Sequence, residues 1–86
     1  MKSLRTAAHQ ALRDILVRAR DRADLTQTEL GRRLGRSQPW VSKVETGERR
    51  LDVIEFVELC EELNLQPGRV LGNLGRVSRS AKRLRS

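Results

Sequence analysis

The chain has 86 residues, room for one domain or one domain with a tail. It carries 18 Lys and Arg against 11 Asp and Glu, a formal net charge of +7, and 37% of it is apolar. That composition suits a small helical core and excludes a large cavity. No apolar run approaches the roughly 20 residues of a membrane-spanning helix, and Met1 to Gln10 lacks the apolar stretch of a signal peptide. A single cysteine, Cys60, excludes an intrachain disulfide scaffold and a multi-cysteine zinc site.

The charge is unevenly spread. Residues 1–50 hold 12 basic and 6 acidic side chains; residues 51–74 hold one basic and five acidic; residues 75–86 hold five basic and none acidic. A basic front, an acidic back and a basic end suit a molecule with one side turned to a polyanion.

Leu12, Ile15, Leu16 and Ala19 follow i, i+3, i+4, i+7 spacing and predict a first helix over about residues 7–23. Thr26-Gln27-Thr28-Glu29 is a capping box that opens a second helix carrying Leu30 and Leu34, which Gly35 stops. Ser37 caps a third helix, with Gln38 and Pro39 in its first turn, ending at Gly47. Asp52 and Glu55 repeat the capping logic for a fourth helix, with Phe56, Leu59, Cys60 and Leu63 on its inner face. Its carboxylates Asp52, Glu55, Glu58, Glu61 and Glu62 read mostly as a solvated face. Asn64 suits the turn that follows, and Gln66-Pro67 begins a fifth, weaker helix through Val70, Leu71 and Leu74. Beyond Gly75 the Arg, Ser and Lys composition predicts a flexible or conditionally helical tail. The domain is therefore placed at residues 1–74, with a core at about 9–72, and the tail at 75–86. Strand signals are absent, so the fold class expected is all-α.

Two short helices joined by a glycine corner make a helix-turn-helix, with Leu30, Leu34, Val41 and Val44 as the shared apolar seam. Gly31 faces the crossing of the next helix, where a large side chain would force the two apart. From Leu25 to Leu51, LTQTELGRRLGRSQPWVSKVETGERRL resembles the helix-turn-helix of the lambda repressor and Cro family, also called the XRE family. Gln27, Leu30, Gly31, Gly35, Ser37, Gln38, Val41, Val44, Glu45 and Gly47 meet its pattern in register. The resemblance covers roughly residues 9–72 and implies a five-helix DNA-binding domain, usually dimeric, with regulatory function in a prokaryote or phage. Three positions depart from the pattern: Arg36 replaces an aliphatic residue, so only its stem should pack; Gly31 replaces alanine; Trp40 is unusually large.

With Val41 and Val44 turned inward, Gln38, Pro39, Ser42 and Lys43 are the candidate base contacts on the recognition helix, residues 37–46. Gln38 can bond adenine N6 and N7 as a pair, and the resemblance implies a base-reading glutamine there. Thr26, Gln27, Arg36, Ser37, Trp40, Thr46, Arg49 and Arg50 are the candidate contacts to the DNA backbone. The resemblance implies that Glu45 pairs with Arg20. His9 reads as solvated and Cys60 as a buried hydrophobe.

The function expected is a sequence-specific transcriptional regulator, most simply a repressor, binding double-stranded DNA as a homodimer on a pseudo-palindromic operator. Leu65, Val70, Leu71, Leu74 and Val77 are the expected dimer surface. An antitoxin of a toxin–antitoxin pair and a protein-binding adaptor are the alternatives, and a toxin or polymerase is a conceivable protein partner. The tail is placed to add phosphate contacts. No cofactor, metal or enzymatic activity is expected, because no nucleophile–base set or metal-ligand spacing is present. The location expected is cytoplasmic, at the nucleoid.

Overall fold

A hydroxyl opens the first helix: Thr6 accepts from the His9 backbone N–H and caps α1, Ala7–Arg22. In the computed structural model residues 6–85 are described; residues 1–5 and 86, which the N-terminal stretch and the tail of the sequence reading include, lie outside them. Four more helices follow: α2 at Gln27–Leu34, α3 at Gln38–Thr46, α4 at Val53–Glu62 and α5 at Pro67–Arg85. No strand occurs among the described residues.

The caps explain the boundaries. Thr26 and Glu29 bond reciprocally at the start of α2, and Asp52 and Glu55 do so at the start of α4. Ser37 accepts from the Trp40 backbone N–H at the start of α3. Gly35 and Gly47 end α2 and α3 in the left-handed region, at φ 68° and 83°. Asp24 and Asn64 reach the same region after α1 and α4, at φ 58° and 57°. An Asx residue tolerates that conformation better than most.

Leu16, Ala19, Leu25, Leu30, Val41, Val44, Leu59 and Leu63 form the main core, which joins α1 to α4. Phe56, Cys60 and Val70 form a second cluster, with Leu12, Ile15, Leu65 and Leu74 packed against it. This second cluster is what docks α5 on α1 and α4. It also removes Val70 from the expected dimer surface. Val70 is 4% exposed in the chain's own core, and Leu65 and Leu74 are half-buried there. Of the residues named for that surface, Leu71 alone is exposed.

A second difference concerns residues 75–86. Gly75 does not end α5, which continues to Arg85. Val77, Ser78 and Ala81 lie half-buried on the face that continues from Val70 and Leu74. Packing, rather than propensity, extends the helix, and composition alone does not reveal it.

Candidate nucleic-acid interface

The corner between α2 and α3 is closer than the sequence requires. A Cβ on Gly31 would lie 2.8 Å from the Arg36 carbonyl oxygen and 3.1 Å from that of Ser37. Even one methyl group would have to move backbone. This contact sets how closely α3 crosses α2, and so how far its outer face stands proud of the body.

On that outer face Gln38, Pro39 and Lys43 are exposed, and Ser42 is half-buried. Gln38 is tethered from behind by a hydrogen bond. Its Nε2 donates to Gln27 Oε1 at 2.7 Å, and Gln27 Nε2 donates to Glu45 Oε1 at 2.8 Å. Glu45 in turn receives Arg20 as a fork, Nε to Oε2 at 2.7 Å and Nη2 to Oε1 at 3.0 Å. Arg20 Nη1 donates to the Leu25 carbonyl at 2.9 Å. The side chains of Arg20 and Glu45 are 14% and 7% exposed. A charged pair so enclosed, with most of its bonding capacity used, holds its geometry firmly. The Glu45 hydrogen bond raises the Arg20 pKa, against the opposing effect of burial. Gln38 keeps its Oε1 and its second N–H, the acceptor and donor that a paired contact to adenine requires.

A second cluster braces the other side of α3. Trp40 packs against the main core, and the guanidinium groups of Arg36 and Arg49 lie 4.9 and 5.2 Å from its ring centroid. Both arginines converge on Glu55. Arg49 Nη1 donates to Oε1 at 3.0 Å, Arg49 Nη2 to Oε2 at 3.1 Å, and Arg36 Nη2 to Oε2 at 3.2 Å. The Asp52 backbone N–H adds a bond to Oε1 at 3.0 Å. The Arg49 hydrogen bonds, then the Asp52 N–H, hold the Glu55 carboxyl below its ordinary pKa, although burial opposes them.

This cluster revises several expectations. Glu55 is 7% exposed and belongs to no solvated face. Arg36 stacks its charged head on the indole instead of packing by its stem alone. Arg36 and Arg49, expected at phosphates, make these bonds within the chain while 39% and 37% of their side chains stay exposed. Trp40 Nε1 is buried without a hydrogen-bond partner, so it is not presented to a phosphate. Gln27 likewise spends its side chain on Glu45 and Gln38. The side-chain oxygens of Thr26 and Ser37 serve as helix caps, and Thr46 Oγ1 donates to the Lys43 carbonyl at 3.4 Å. Arg50 is exposed, next to this cluster.

One signal for the Glu55 cluster was visible: its place in a capping box, six residues after Arg49. Nothing in the sequence marks Arg36 as its third member. His9, read as solvated, is half-buried and shares a 2.7 Å hydrogen bond with Thr6 Oγ1. Burial, then the charges of Arg50 and Arg13, lower its pKa. Cys60 is fully buried, and burial raises its pKa. Among the described residues no group of three or more His, Cys, Asp or Glu could hold a metal ion, and no helix is long and apolar enough to cross a membrane.

A left-handed glycine corner, a short outward helix and a polar lead residue braced from behind define a DNA-binding helix-turn-helix domain. The model of a helix-turn-helix domain family matches residues 11–74. The chain belongs to that family, as an XRE-family helix-turn-helix protein. Its fold is similar to a solved XRE-family like protein from Pseudomonas syringae pv. tomato str. DC3000. The two are 48% identical with a TM-score of 0.77, over 87% of this chain and 92% of the other. No curated protein matches the chain.

Proposed function

We propose that the chain is a sequence-specific transcriptional repressor that binds a pseudo-palindromic operator as a homodimer. The observation that carries this reading is the hydrogen-bonded relay from Arg20 through Glu45 and Gln27 to Gln38. An exposed glutamine fixed at the leading end of α3 is organised before DNA arrives, so less side-chain entropy is lost on contact. In this reading Gln38 pairs with adenine, Lys43 donates to guanine or phosphate, and Pro39 and Ser42 line the same groove. Arg50 is a free-standing candidate for a phosphate, and Arg36 and Arg49, which brace Trp40, keep exposed guanidinium surface for the same role.

One recognition helix reads only a few base pairs, so two copies supply the specificity that a promoter site needs. The membership of the family supports DNA binding; occlusion of a promoter is the simplest way such a small domain acts. The test is selection of bound sequences from random duplex DNA. A recovered motif with two inverted half-sites supports the reading. Recovery of no motif from folded protein overturns it.

A further inference from the structure

Among the described residues, the exposed large apolar side chains are Val53, Ile54 and Leu71, at 72%, 68% and 55%. Val53 and Ile54 sit in the first turn of α4 and Leu71 in the second turn of α5. Along α4 the outward stripe runs Ile54, Glu58, Glu61, at i, i+4 and i+7, and all three are exposed. Along α5 the outward stripe runs Gly72, Arg76, Arg79 at the same intervals, also exposed, with Leu71 beside Gly72. The charges are of single sign. α4 carries four glutamates and no base, and α5 carries six bases and no acid. Glu55 is committed to Arg36 and Arg49, but neither Glu58 nor Glu61 has an ion-pair partner among the described residues.

Gly72 adds an independent observation. A Cβ there would meet nothing within 4 Å, and its φ is not positive. Nothing in its own chain calls for glycine, although glycine weakens a helix relative to alanine. Bare backbone on an exposed helix face permits close approach by a second helix.

We propose that the partner is a second copy of this chain, and that α4 of each copy lies parallel on α5 of the other. Ile54 then sits over Gly72 and against Leu71, Glu58 faces Arg76, and Glu61 faces Arg79. Seven residues of helix span about 10.5 Å on either side, so the three contacts stay in register. A two-fold axis repeats the exchange and closes the pair. Face-to-face pairing of two α5 helices would instead oppose Arg76, Arg79, Lys82 and Arg83 with like charges. This inference rests on the homodimer reading above and names its surface.

Sedimentation equilibrium of the full chain, without DNA, tests it. The wild type is expected at twice the 9.8 kDa chain mass. E58R/E61R and R76E/R79E should each sediment as monomers, because both halves of the exchange are then repulsive. Their equimolar mixture should return to dimer, because both halves are again complementary. Gly72→Leu should weaken association about tenfold or more while the separated chains keep the helical circular-dichroism spectrum of the wild type. A dimer that persists in both reversed variants overturns this interface and leaves the homodimer reading standing. Two monomeric variants that fail to associate when mixed overturn it as well. A wild type that is monomeric at every concentration overturns the interface and the homodimer reading together. Loss of duplex affinity in R76E/R79E with the dimer intact assigns α5 to nucleic acid and overturns the proposal.

Discussion

Glu45 is a carboxylate on α3, the helix proposed above to face DNA, and its surroundings explain why it is tolerated there. It neutralises Arg20 and holds Gln27, which holds Gln38. Glu45→Ala removes the forked carboxylate from an enclosed guanidinium, which keeps only the Leu25 carbonyl and Asp21 at 3.8 Å, at a cost of about 3 kcal/mol. Thermal melting should show this loss before binding assays show altered operator preference; the reverse order would assign Glu45 to base reading. Gly31 makes a contrasting case. Helix propensity favours alanine there by up to about 1 kcal/mol. The 2.8 Å approach to the Arg36 carbonyl opposes it, and overpacking of this kind costs about 1–3 kcal/mol. Gly31→Ala is therefore expected to lower the melting temperature, and a rise would show that the corner relaxes freely. Glu55 adds a pH dependence. Its folded pKa lies below the ordinary value of 4.5. Its stabilising effect is full above that value and is lost as pH falls through the folded pKa. Denaturant melts of Glu55→Gln should lose part of the acid-induced destabilisation seen below about pH 4.5 in the wild type.

At the level of elements, α3 is held from two sides. The Arg20–Glu45–Gln27 relay fixes its leading end to α1 and α2, and the Arg36–Trp40–Arg49–Glu55 cluster fixes its flank to α4. Both supports are side chains, and they add to the apolar contacts that Trp40, Val41 and Val44 of α3 make with the core. The C-terminal half of α5 is bound differently, by the half-buried Val77, Ser78 and Ala81. Truncation after Gly75 removes that contact and should lower stability by about 1–2 kcal/mol, from the apolar area it exposes. A free tail would leave the melting temperature unchanged, so calorimetry of the shortened chain separates the two descriptions.

The described residues span 43 × 26 × 21 Å. In a two-fold pair, chains of this size can set their α3 helices about 34–36 Å apart, one turn of duplex. Selected operators are accordingly expected to carry half-sites about 10 base pairs apart, centre to centre. A wider or irregular spacing in the recovered sequences would reject this geometry.

The local rules in the chain were sufficient for the presence of five helices, the caps of α2, α3 and α4, and the glycine corner. Each rests on residues within a few positions of one another: Thr26 with Glu29, Asp52 with Glu55, Gly35 after Leu34. Periodicity also placed Val41 and Val44 inward, which left Gln38 and Lys43 outward. The tertiary structure alone decided how polar side chains pair across the sequence. Arg36 and Arg49 meet at Glu55, Gln27 turns inward to Glu45, Val70 enters the core, and α5 runs on past Gly75. A charged residue looks the same in sequence whether it faces water, a phosphate or a carboxylate nineteen positions away. Chain folding selects among these partners, because only the packed helices bring the opposite charges within hydrogen-bond reach.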